Sequence, residues 1–143
     1  MSEQSRPYAY INEYQRRFFE WAQIAIQEVT DGQSRLFMEV TEHHRGGGGT
    51  QAVNGGIAAY LFDAALGTAV QSTWDKDVTG QVTMTLNIQY LRPLLAITGV
   101  TARAEVTHRG RSTVYARGEI CGDDGRPSMT ATGIFHLFRS HVQ

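Results

Sequence analysis

Val53-Asn54-Gly55-Gly56-Ile57-Ala58-Ala59-Tyr60-Leu61-Phe62-Asp63-Ala64-Ala65-Leu66-Gly67 is the stretch on which the reading of this chain turns. Two glycines open an apolar helical run, and one carboxylate, Asp63, is set into it about two turns later. An apolar helix has no packing reason to carry an aspartate, because burying an ionised carboxylate without a partner is costly. Asp63 is therefore placed for chemistry, or sits on a surface that a partner chain covers, or both. The run predicts a helix from about Gly56 to Ser72, ended by Trp74-Asp75-Lys76-Asp77 and Gly80. It is apolar nearly all round, which signals deep burial. Ala59 and Gly67 lie one turn either side of Asp63 and share its face, where small residues let another backbone approach. Ile57, Leu61, Ala64 and Thr68 form a different face, suited to the chain's own sheet.

The flanks complete the pattern. From Ile11 to Ile26, Tyr14, Phe18, Trp21, Ala22 and Ala25 recur at spacings of three and four, an amphipathic helix. Arg35 to Thr41 alternates as a strand, and His43 to Thr50 is a glycine-rich loop with the block Gly46 to Gly49. After the long helix everything alternates with period two. Val82, Met84, Leu86, Ile88 and Tyr90 face one way and Thr83, Thr85, Asn87 and Gln89 the other, with Pro93 ending the run. Runs at 100–107, 114–120 and 129–137 follow, joined by the turns Arg109-Gly110-Arg111 and Asp123-Asp124-Gly125. The class is α+β: an antiparallel sheet of about five strands with one long apolar helix against it.

The 143 residues, 41% hydrophobic and 19% charged, suit one domain over 1–143. Residues 1–30 form an N-terminal segment with a helix, and 31–140 form the core. A formal net charge of −1 gives no basic field for nucleic acid or an anionic membrane. No apolar run approaches the ~20 residues of a membrane span, and Met1 to Tyr10 is polar, unlike a signal peptide. The one cysteine, Cys121, makes no intrachain disulfide and is expected to be inert. A cytoplasmic protein without metal or cofactor is expected. His43 and His44 are adjacent, and strand neighbours point to opposite faces, so no metal site is expected there. His108, His136 and His141 show no constellation, and the nucleophile elbow Gly-x-Ser-x-Gly is absent.

Asn54-Gly55-Gly56, Asp63 inside the helix and Asn87-Ile88-Gln89-Tyr90-Leu91-Arg92-Pro93 closing the next strand, in this order, resemble the hotdog-fold acyl-CoA thioesterases. The branch is that of the phenylacetyl-CoA and 4-hydroxybenzoyl-CoA thioesterases, and the resemblance spans roughly Leu36 to Phe138. That family's usual signature is His-Gly-Gly, an acid eight residues after the first glycine, then a strand ending in Tyr-x-x-Pro. This chain departs from it in three places. Asn54 stands where the family has histidine, Gln51 where it has a glycine, and Gly48 near its upstream polar residue. The resemblance implies a hotdog fold, with five to six antiparallel strands wrapped around the central helix. It implies hydrolysis of an aryl- or medium-chain acyl-CoA, with the Gly55 N–H as oxyanion donor.

Such chemistry needs an activated water or a nucleophile, and donors for the developing oxyanion. The unpaired amides at the helix start, Gly55 and Gly56, suit the second task, although two glycines can also simply make a tight turn. Asp63 would be general base on water or nucleophile. It lies about 12 Å along the axis from Gly55, too far for both to meet one carbonyl from the same helix. Two antiparallel helices side by side would bring them together, so a two-fold homodimer with composite sites is expected, with a dimer of dimers as the larger assembly. Thr83 is a candidate to orient the water, or is an ordinary strand residue. Asn54 could hold the carbonyl or cap the helix. Arg92, Arg109 and Arg111 are candidates for the phosphates of coenzyme A, or are solvated surface residues. The alternatives are a non-catalytic acyl-CoA-binding hotdog protein, a hydratase on the same fold, and a monomeric ligand-binding α+β barrel.

Overall fold

The computed structural model describes residues 13–46, 48–96 and 98–140. Met1 to Asn12, Gly47, Ile97 and residues 141–143 lie outside it, and with them the polar N-terminus, the expected start of the first helix at Ile11 and His141. The elements are α1 (Glu13–Ala22), β1 (Ile24–Thr30), β2 (Gln33–Glu39), α2 (Gly55–Gln71), β3 (Val78–Tyr90), β4 (Gly99–Arg109), β5 (Thr113–Cys121) and β6 (Pro127–Arg139). The six strands form one antiparallel sheet in the order β1-β2-β4-β5-β6-β3.

The sheet wraps around α2, the hotdog arrangement. Leu61, Phe62, Ala65, Leu66, Ala69 and Val70 of the helix are fully buried against Leu36, Met38, Ala102, Val114 and Ile120 of the strands. Gly118 and Gly133 admit this close approach. A methyl group on Gly118 would stand 2.9 Å from a Leu66 methyl and 2.7 Å from the Arg103 carbonyl.

The first helix is shorter than expected. It stops at Ala22, where Gln23 turns the chain at a φ of 62°, and Ile24–Thr30 is a strand. Ile24 and Ile26 fit a helical spacing, but they face inward from β1 and pair with Met38 and Leu36. The Asp31-Gly32 turn that closes this hairpin, with Gly32 at a φ of 74°, is the sequence signal for it. On α1 the core residues are Phe19 and Ala22, whereas Tyr14 and Trp21 are exposed.

At the far end of α2, Asp75 accepts both guanidinium nitrogens of Arg139 at 3.0 Å and one from Arg109 at 3.4 Å. The Arg139 hydrogen bonds, the first cause, hold its carboxyl down at about 2 from the usual 3.8. A carboxyl depressed by folding contributes stability that is present above pH ~4 and lost as pH falls towards 2. Asp75→Asn is expected to be less stable at neutral pH and to show a smaller loss between pH 4 and 2 in urea unfolding.

Candidate active site

Asn54 starts α2. Its carboxamide oxygen accepts the Gly56 N–H at 2.8 Å and the Ile57 N–H at 3.4 Å, and its own N–H donates to the His44 carbonyl at 2.8 Å. Asn54 is thus a side-chain N-cap, and only Nδ2 is left to face a substrate. The Gly55 N–H has no acceptor among the described residues, as befits the first amide of a helix. The Tyr90 hydroxyl donates to the Gly55 carbonyl at 2.8 Å. This Tyr90 contact is not readable from periodicity, which sets Tyr90 only on one side of its strand with Leu86 and Ile88.

Further along α2, the residues only partly buried are Ala59, Tyr60, Asp63, Gly67 and Gln71. Ala59, Asp63, Gly67 and Gln71 recur every four residues, so one stripe stays open while every other side of the helix middle is sealed by the sheet. Thr83 Oγ1 donates to Asp63 Oδ1 at 2.7 Å. Burial pushes the Tyr60 phenol up, and the charge of Asp63 adds to it.

A β-bulge makes the Thr83 contact. The β3–β6 register shifts between Thr83 and Thr85. Thr83 pairs with buried Phe135 and faces the helix, while Leu86, beyond the bulge, pairs with Gly133 and faces the helix as well. Strict alternation would have put Thr83 on the outer face. The extra residue, Met84, reverses the phase and aims the hydroxyl at Asp63.

The three arginines do not converge in one chain. Arg92 follows β3 at the Gly55 end of α2 and lies 3.7 Å from Asp124. Arg109 and Arg111 lie beyond the opposite end, about 25 Å away along the helix. Arg109 is spent within the chain on Thr73, Asp75 and the Gly110 carbonyl. Arg111 is exposed, and its carbonyl accepts from Arg139.

The two histidines stand at the start of the loop, where the sequence reading puts them, and not as strand neighbours on opposite faces. They occupy a 3-10 turn, Glu42–His44, with rings stacked at 4.3 Å. His43 Nε2 meets the Trp21 carbonyl at 3.1 Å and His44 Nε2 the Ala22 carbonyl at 2.5 Å, at the end of α1. The Thr41 N–H donates to His44 Nδ1, so His44 carries its proton on Nε2. Cys121 is buried, which raises its thiol.

Residues 50–128 match the sequence profile of the thioesterase superfamily. The chain belongs to the thioesterase superfamily. A Halobacterium salinarum protein that bears the name of an esterase is 35% identical to this superfamily member over 126 residues, covering 81% of each chain. Among solved structures, BH2602 of Bacillus halodurans, determined with CoA, is 28% identical with a TM-score of 0.77, covering 91% of this chain and 83% of that one. The PaaI protein of the E. coli phenylacetic acid degradation operon superposes at a TM-score of 0.82 over 99% of this chain and all of that one. At 23% identity that likeness speaks to the fold alone. Among the described residues no helix is long and apolar enough to cross a membrane.

Proposed function

We propose that this superfamily member hydrolyses an aryl- or medium-chain acyl-CoA, as a homodimer whose sites each join Gly55 of one protomer to Asp63 of the other. Superfamily membership supports thioester hydrolysis in general, and a relative holding CoA supports a CoA thioester. The observation that carries the mechanism is the pair at the middle of α2. A carboxylate on an otherwise apolar helix stands partly buried, held by a threonine hydroxyl at 2.7 Å, while the amide eight residues earlier has no acceptor among the described residues. Asp63 acts on the attacking water or on the thioester itself, Thr83 fixes its orientation, and the Gly55 N–H takes the oxyanion with the helix dipole behind it. Asn54 keeps that end of the helix in place, with Gly56 leaving room for the substrate.

The dimer rests on surfaces left open in one chain. β3 has thirteen residues and among the described residues pairs only with β6, so its other edge presents a long row of backbone groups without partners there. Its inward-facing Tyr90 reaches Gly55 of the same chain yet is 53% exposed, so α2 of the same chain covers this end of the strand only in part. A second β3 and a second α2, antiparallel to the first, would cover both. In that arrangement Arg92 of one protomer and Arg109 and Arg111 of the other approach the same end of a site, where CoA phosphates need cations.

The test is thiol release across a panel of acyl-CoAs. Turnover of at least one aryl- or medium-chain thioester, lowered by about 10²-fold or more in Asp63→Asn, is expected; tight binding with no release by the wild type would select a binding protein. Tyr90→Phe removes the hydroxyl that holds the Gly55 peptide. A hydrogen bond worth about 1 kcal/mol, felt in the transition state, means a roughly fivefold lower kcat at unchanged KM.

A further inference from the structure

β3 gives α2 more than the Thr83 hydroxyl. Gln81, two residues earlier, pairs with buried Leu137 as Thr83 pairs with buried Phe135, so both side chains face the helix. The Gln81 carboxamide is held at both ends. The Trp74 indole Nε1–H donates to Gln81 Oε1 at 2.8 Å, and Gln81 Nε2 donates to the Gly67 carbonyl at 3.0 Å. An indole N–H can only donate, so the oxygen must be the end that meets Trp74 and the amino group the end that meets Gly67. We propose that Gln81 is a positioning residue for the reaction: it fixes the register of α2 on β3 and thereby sets the Asp63 carboxylate against Thr83. This role presupposes Asp63 as the acting carboxylate.

The geometry is that of a two-rung ladder. Thr83 reaches Asp63, and Gln81 reaches Gly67, one helical turn further on. Two strand residues advance about 6.7 Å and four helical residues about 6.0 Å, so the rungs run nearly parallel. One rung alone leaves the helix free to turn or slide about that contact, and the second removes this freedom. The second rung ends on backbone, so it holds the helix itself and not a side-chain rotamer. Gly67 also closes the helical hydrogen bond onto the Asp63 carbonyl, which passes the constraint to the residue that carries the acid.

This side of the helix needs such a hold. Elsewhere α2 is seated by apolar packing against the core, which is strong but non-directional. On the open stripe, Ala59 and Gly67 offer no side chain that could key the helix in place. Trp74 supplies a firm anchor for the carboxamide, because its ring packs against the core. Glycine at 67 keeps the path to the carbonyl clear. A Cβ there would already touch Gln81 Nε2 at 3.4 Å and a Phe135 ring carbon at 3.8 Å, so a larger side chain would compete with the carboxamide for the same space.

Steady-state thiol release from the best acyl-CoA, resolved into kcat and KM, tests this on Gln81→Met. Methionine keeps the length and bulk of glutamine and makes neither hydrogen bond. About a tenfold fall in kcat at unchanged KM is expected, from a carboxylate displaced by a fraction of an ångström. Trp74→Phe keeps a ring, removes the N–H and frees the carboxamide to flip; about a threefold fall is expected. The discriminating readout is the cycle with Thr83→Val. Once the hydroxyl is gone there is no contact left to align, so Gln81→Met in that background is expected to cost less than about twofold in kcat. An unchanged kcat in Gln81→Met, or the same fold-loss with and without the Thr83 hydroxyl, makes Gln81 a structural contact only and overturns the proposal. Asp63→Asn, measured alongside, separates the two levels. Full turnover there removes the role of Asp63 itself, whereas its loss beside an unaffected Gln81→Met removes only the part given to Gln81.

Discussion

Asp63→Asn is expected to lower kcat on the best acyl-CoA by about 10²- to 10⁴-fold, the range for loss of a positioned general base, with the dimer and the thermal midpoint little changed. The substitution keeps the shape and keeps an oxygen for the Thr83 hydroxyl, which donates at 2.7 Å. It removes only the basic or nucleophilic capacity. Because Asp63 lies on a partly open stripe rather than in the sealed core, no buried cavity or orphaned charge accompanies the change. Thr83→Val separates the two members of the pair. It leaves the carboxylate chemically competent but free to rotate, so a smaller loss of kcat is expected. Unchanged turnover in Asp63→Asn, measured as thiol release at saturating substrate, would take Asp63 out of the mechanism.

The middle of the chain was legible because its pattern is strong and local. Apolar residues on every side of α2, a cap signal at Asn54 and a lone acid were enough to place the helix within a residue of its bounds. They also place Asp63 on the stripe with Ala59 and Gly67. The later strands follow from period-two alternation between turns, and their ends differ from expectation by a few residues. What failed did so where two patterns compete. Ile24 and Ile26 continue a helical spacing and also alternate, and the inward pairing with Leu36 and Met38 decides for the strand. The Thr83 contact depends on a bulge, and one extra residue in a strand leaves no trace in a hydrophobic pattern that remains regular on both sides of it. The arginines were visible as charges, but their partners were not. Arg109 is fixed by Asp75, which lies 34 positions earlier in the chain, a pairing that only the fold creates.

The composite site leads to the sharpest expectation, which uses two inactive chains. Gly55 is the first residue of α2, where proline is tolerated because the amide there has no intrahelical partner. Asn54 already has φ −58° and ψ 132°, the extended region that a following proline requires. A Cβ at position 55 would find its nearest neighbour, a Tyr90 ring carbon, at 3.4 Å. Gly55→Pro therefore deletes the N–H while keeping the helix, and about a 10²- to 10³-fold loss of kcat is expected, as for removal of one oxyanion donor. In a mixed dimer of Gly55→Pro with Asp63→Asn chains, one site receives both lesions. The other receives the intact Gly55 of one chain and the intact Asp63 of the other. After unfolding and refolding an equimolar mixture, half the dimers are mixed and each has one working site, so turnover should return to about a quarter of the wild type. If amide and carboxylate served the same substrate from one chain, every site would keep one lesion. The mixture would then be no more active than its parts, and the cross-protomer geometry would have to be abandoned.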